Sequence, residues 1–228
     1  MEALAMAIKE ALREIADPER AVGMAAYLKH KQAFLGVPSQ GIREIVRRCA
    51  KENPPTDTAQ LGGVVRELWQ GEFREDRYGA IRLAERFRKL QSPELLPLYH
   101  WMIQTGQWWD LVDITASNLI GSLMREFPEL SETVFGWIED DDMWLRRTAL
   151  LAQLKYKQAT DRERLANMIL TTAHEKEFFI RKAIGWVLRE YAKTDAQWVW
   201  AFVKDHEDRL SDLSRREALK HFKATGNA

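Results

Sequence analysis

One short stretch holds residues suited to chemistry on a flat, positively charged group: Gln107-Trp108-Trp109-Asp110-Leu111-Val112-Asp113. At about 100° per residue, Trp108, Leu111, Val112, Thr115, Leu119 and Leu123 form one apolar stripe. Trp109 and Asp113 then stand four apart on another face, one helical turn between them. An indole face is electron-rich, and a carboxylate beside it with no partner suits something planar and positively charged better than a core. The plainer account is a wedge between helices with Asp113 in a salt bridge.

Further along the chain, three more positions break their own stripes. Within Lys176–Lys193 the core side is Ile180, Ala183, Ile184, Val187, Leu188 and Tyr191. Trp186 points nearly opposite, between Lys182 and Arg189, as a Trp meant to meet a sugar, a base or a partner would. Its plainer account is packing against the next helix pair. Within Met143–Gln158, Arg147 falls among the apolar positions Met143, Leu150, Leu151 and Leu154. An arginine is seldom buried alone, so it requires a carboxylate or a phosphate. Lys155 and Lys157 follow on nearby faces and read first as solvated. Within Pro18–Leu35, Ala21, Ala25, Leu28 and Leu35 make the stripe. Tyr27, His30, Lys31 and Phe34 lie off it, and Tyr27 is either a ligand contact or a snorkelling surface residue.

The elements that must position these residues are helices throughout. Helical periodicity runs along nearly every segment, broken by short punctuators such as Asp17-Pro18, Gly36-Val37-Pro38-Ser39, Asn53-Pro54-Pro55 and Asp140-Asp141-Asp142. About a dozen helices result, with no linker long enough to mark a domain boundary. A repeat emerges in the middle: Trp101 and Trp108 recur 36 residues on as Trp137 and Trp144. Met143–Arg147 then recurs 35 on as Phe178–Lys182, and Tyr156 as Tyr191. Helical pairs at this period predict an all-α, HEAT-like helical-repeat superhelix over 1–228 as one domain, curved, with a concave binding face.

Composition narrows the function. The 34 Lys+Arg balance the 34 Asp+Glu, which argues against a generic polyanion binder. The balance is local, though. Arg125–Asp142 holds seven acids and one base, whereas Met143–Lys193 holds eleven bases and five acids. A neutral total can therefore hide one basic face. A single cysteine, Cys49, leaves no disulfide and no thiolate cluster for a metal. The five histidines, His30, His100, His174, His206 and His221, show no metal-binding spacing, and no phosphate loop or nucleophile elbow occurs. Neither a signal peptide nor a membrane span is expected, so a cytoplasmic, soluble chain is.

The chain resembles the DNA alkylation repair enzyme family, the HEAT-like-repeat DNA glycosylases of bacteria. The resemblance is carried by Val65-Arg66-Glu67-Leu68-Trp69, Trp108–Asp113, Trp144-Leu145-Arg146-Arg147, Gln153–Gln158, Lys176–Thr194 and Leu213-Ser214-Arg215-Arg216-Glu217-Ala218. It implies hydrolysis of the N-glycosidic bond of N3- or N7-alkylated purines, such as 3-methyladenine and 7-methylguanine, in duplex DNA. It implies a catalytic carboxylate at Asp113, sugar-contacting indoles at Trp109 and Trp186, a DNA-contacting arginine at Arg147 and the family's N-terminal tyrosine at Tyr27. It also implies action without swinging the base into a pocket. Lys155, Lys182 and Arg189 are expected on DNA phosphates. No metal or cofactor is expected, and a monomer associated with the nucleoid is. Pro38 departs from the polar residue often found in that loop. The rival readings are a non-catalytic solenoid that senses damaged DNA and a protein-interaction scaffold.

Overall fold

The computed structural model describes residues 2–29, 32–220 and 222. His30, Lys31 and His221 lie outside them. About 76% of the chain is helical, and no strand occurs among the described residues. The α-helices are α1 (Glu2–Glu14), α2 (Pro18–Leu28), α3 (Ser39–Glu52), α4 (Thr58–Trp69), α5 (Arg74–Arg86) and α6 (Leu96–Gly106). They continue as α7 (Trp109–Ile114), α8 (Gly121–Glu126), α9 (Ser131–Gly136), α10 (Met143–Leu151), α11 (Arg162–Thr172), α12 (Phe178–Tyr191), α13 (Ala196–Asp205) and α14 (Asp212–Ala218). None is long and apolar enough to cross a membrane.

The starts of these helices are written locally. The side chains of Asp17, Asp57, Asp142, Asp161 and Asp195 each accept from a backbone N–H in the first turn of the helix that follows, as does Ser211. Such caps satisfy donors that the helix cannot satisfy itself. The helices fall into two compact units, Met1–Met102 and Ile103–Ala228.

In the first unit α1, α3, α4 and α5 pack together around Ile8, Leu12, Leu61, Leu68, Trp69, Ile81 and Leu83, all sealed from solvent. Arg74, Glu75 and Asp76 at the start of α5 are also fully buried. Glu75 explains how a carboxylate tolerates that place. Its two oxygens accept the backbone N–H groups of Leu35 (2.9 Å), Gly36 (2.8 Å) and Val37 (3.2 Å). Gly36 has φ 84, and a Cβ there would lie 2.0 Å from the Asp17 carbonyl oxygen, so only glycine fits.

This capture corrects the helix expected over Pro18–Leu35. α2 ends at Leu28, Lys29 takes the left-handed conformation (φ 51), and Phe34 to Val37 are drawn inward as irregular chain. Phe34, placed off the core by periodicity, is buried.

The second unit stacks α10 on α12 and α12 on α14. The repeat becomes physical here. Trp108, Trp144 and Phe179 occupy equivalent repeat positions, and their rings meet at 6.2, 5.4 and 4.9 Å. Such tilted and edge-on pairs suit the quadrupoles of the rings. The expected stripe on α12 is buried in full: Ile180, Ala183, Ile184, Val187, Leu188 and Tyr191. The helix read over Met143–Gln158 is shorter. α10 stops at Leu151, and the chain turns through Ala152–Leu154 to Lys157, whose φ is 54.

Candidate active site

The Asp113 segment starts with a sharp entry. Gln107 has φ 33 and Trp108 is extended (φ −150, ψ 145), so α7 begins one residue later, at Trp109. Trp108 is therefore the cap residue and turns to the aromatic cluster instead of extending the apolar stripe of α7. Trp109 takes the first helical position, half-buried, and Asp113 follows one turn on. A wider π-helical turn, Thr115–Ile120, then joins α7 to α8. Ser117 Oγ, within that turn, donates to the Asp113 carbonyl at 2.7 Å. Leu111, Val112, Thr115, Leu119 and Leu123 are buried as expected, but so are Ala116, Ser117 and Ile120 on other sides. The segment is enclosed on several faces, a property that stripe analysis of a two-sided helix cannot show.

Asp113 is 7% exposed and is not alone. Arg147, on α10 and 4% exposed, grips it with both tines of its fork: Nε to Oδ1 at 2.7 Å and Nη2 to Oδ2 at 2.8 Å. Arg147 Nη1 donates to the Phe179 carbonyl at the start of α12, and its guanidinium lies 5.8 Å from the Phe179 ring centroid. The expectation of an unpaired carboxylate is thus corrected. The reason is energetic: an ionised carboxylate this deep needs a cation and hydrogen bonds to remain charged. Burial pushes the Asp113 carboxyl above its ordinary value, Arg147 opposes that through charge and hydrogen bonds, and Asp110 adds to the rise.

Arg147 also links Asp113 to the helix that carries Trp186. From Phe179 to Trp186 is seven residues of α12, roughly 10 Å along the axis. Trp186 is half-buried, with Lys182 and Arg189 on the turns before and after it. Both bases reach one acid that sequence reasoning passed over. Lys182 Nζ meets Glu217 Oε1 at 2.8 Å, Arg189 Nη1 meets Oε2 at 2.9 Å, and Lys220 Nζ meets Oε1 at 2.6 Å. Burial would raise the Glu217 carboxyl, but hydrogen bonds from Lys182 and Lys220 outweigh it and hold it down at about 2. A signal was present: Glu217 lies 35 residues after Lys182, one repeat on, inside a motif singled out for other reasons.

Two further expected site residues are exposed. Lys155 is exposed in the turn after α10 and, with Lys157 and Lys193, lines a cavity of about 510 Å³ bordered by none of Trp109, Asp113, Arg147 and Trp186. Tyr27 belongs to the first unit, on α2, and is 75% exposed. Among the described residues no group of three His, Cys, Asp or Glu side chains is arranged to hold a metal ion.

A stack of helix pairs holding a buried carboxylate in the grip of an arginine, one helical turn along the chain from a tryptophan, defines an all-helical repeat protein with an acidic centre. The sequence model of the DNA alkylation repair enzyme family matches residues 8–222, through both compact units, and the chain belongs to that family. It is similar to the solved structure of a predicted DNA alkylation repair enzyme from Enterococcus faecalis, with 33% identity and a TM-score of 0.83. That match covers 90% of this chain and 96% of the other. No curated protein matches the chain significantly.

Proposed function

We propose that this repair enzyme is a DNA glycosylase that hydrolyses the bond between deoxyribose C1′ and an N3- or N7-alkylated purine in duplex DNA. The observation that carries the reading is the Asp113 carboxylate, held by a bidentate arginine and set one turn after Trp109 on the same helix. Ordinary glycoside hydrolysis needs a second carboxyl group to protonate the leaving group. An alkylated purine is already cationic, so the C1′–N bond electrons leave with it as a neutral base and no proton donor is required. One carboxylate then suffices. Asp113 opposes the positive charge that grows on the sugar and orients the water that adds to C1′, which releases one proton to bulk water as the C1′–O bond forms. Trp109 and Trp186 flank the sugar and favour its cationic character through their ring faces.

In this reading Arg147 is a positioning residue first: it fixes both carboxylate oxygens and stabilises their charge. Lys155, Lys182 and Arg189 meet the phosphates, and Tyr27 is a DNA contact of the first unit. The substrate is double-stranded DNA in the cytoplasm, taken by a monomer that acts without base extrusion. The burial of the Asp113–Arg147 pair favours a second reading, a damage-binding protein without turnover, in which the pair is purely structural.

One experiment separates the two. Asp113→Asn should slow release of 7-methylguanine from methylated duplex DNA by on the order of 10²-fold or more, while duplex binding stays within a few-fold. Thermal unfolding confirms that the variant is folded at the assay temperature. A folded variant with wild-type base release overturns the catalytic assignment, and a wild-type protein that binds but never releases base establishes the second reading.

A further inference from the structure

We infer that Glu217 is the keystone of a phosphodiester seat beside Trp186, built from Lys182, Arg189 and Lys220. The inference rests on the proposed DNA substrate and adds Glu217 and Lys220 to the site. Three cations surround one carboxylate, so two positive charges remain in excess. The Glu217 side chain is 9% exposed, whereas those of Lys182, Arg189 and Lys220 are 37%, 31% and 53% exposed. The acid is thus sunk beneath the bases, and the bases face outward. Each cation gives Glu217 one hydrogen bond. Lysine carries three N–H donors and arginine five, so every one keeps donors for an anion.

The construction is close-packed. A Cβ at Gly185 would lie 2.4 Å from Glu217 Cβ and 2.7 Å from the Ser214 carbonyl oxygen, so α12 admits Glu217 only because position 185 lacks a side chain. Ser214 Oγ donates to the Arg181 carbonyl at 2.9 Å and pins α14 to the same turn. Lys182 and Arg189 are two turns apart on α12, and Glu217 bridges them across the stretch that holds Trp186. Long side chains lose much entropy when they gather on a ligand. Here they are gathered beforehand, which is how preorganised sites gain affinity. A phosphodiester, whose one negative charge is shared by two non-bridging oxygens, fits a ring of donors with that excess positive charge.

A pooled-charge role and a positioning role make opposite forecasts for Glu217→Gln. The substitution adds one positive charge, so pooled charge alone gives tighter duplex binding and a steeper salt dependence. If Glu217 organises the seat, binding to a methylated duplex weakens several-fold, and the slope of log K against log salt flattens by about 0.9, the loss of one phosphate contact. Glu217→Asp, which keeps the charge, should recover part of the affinity. Lys220→Ala removes a half-exposed base, leaves Glu217 two partners, and should weaken binding by a smaller factor. Because pooled charge gives the same sign there, Glu217→Asp decides the matter if Glu217→Gln does not fold, since pooled charge alone leaves its binding at the wild-type value. Tighter binding in Glu217→Gln, or binding and slope unchanged in the folded variants, overturns the inference. Base release is measured in the same series. Loss of wild-type release with the binding effects intact defeats only the glycosylase reading, whereas intact release with unaltered binding defeats only the seat.

Discussion

Replacing Arg147 by methionine keeps most of the buried volume but removes the only cation hydrogen-bonded to Asp113 among the described residues. The Asp113 side chain is 10% exposed, so water cannot take over. Removing one partner of a buried pair costs ~3–5 kcal/mol, because the other charge is left uncompensated. For a chain of this size that corresponds to a fall in Tm on the order of 10 °C. Asp113→Asn on the Arg147→Met background removes the stranded charge and should restore part of the loss, a coupling that a double-mutant cycle reads directly. The pH dependence has a definite sign. Burial already raises the folded-state pKa of Asp113 above its ordinary 3.8, and loss of Arg147 raises it further. Stability from such a group is fully present below the unfolded pKa and is lost as pH rises through the folded one. The deficit of Arg147→Met should therefore shrink toward pH 3.8 and widen toward neutrality, as measured by denaturant unfolding followed by tryptophan fluorescence. A variant that melts like the wild type, with no gain in the double variant, would refute the claim that this pair holds the site.

Two further outcomes follow from the packing. Glu75→Gln should cost ~3 kcal/mol, since hydrogen bonds to a charged acceptor contribute ~1.5–3 kcal/mol each and an amide keeps only some of them. Amide hydrogen exchange at Leu35, Gly36 and Val37 should accelerate, and protection there equal to wild type would contradict the role assigned to Glu75. Gly121→Ala should destabilise by ~1–3 kcal/mol although alanine is the better helix former, because its Cβ would sit 2.2 Å from the Ala152 carbonyl oxygen. Gly136→Ala, where nothing lies within 4 Å, is the matched control and should be neutral or slightly stabilising in thermal melts.

The fold was largely legible because helix and repeat both have a period. The α12 stripe and the 35-residue spacing follow from the sequence alone, and they emerge as a buried face and an aromatic cluster. What periodicity could not reach were contacts between side chains one repeat apart. Asp113 and Arg147 each break their own stripe, yet nothing in the pattern says that they answer each other across 34 residues. Glu217 was hidden for the same reason, and Glu75 because a carboxylate satisfied by three backbone amides resembles any surface acid in sequence. Helix ends depart from the periodicity where an irregular segment is captured from afar, as at Leu28.

The π-helical turn at Thr115–Ile120 has one more consequence. It acts as a spacer of one residue, so everything upstream is rotated by about 100° relative to an uninterrupted α-helix. Leu119 and Leu123 anchor the downstream half. Deleting a single residue from 115–120 would straighten the rod and swing Asp113 away from Arg147 with no functional side chain altered. Length, as much as composition, is under constraint there, so this stretch should reject the insertions and deletions that neighbouring surface turns accept.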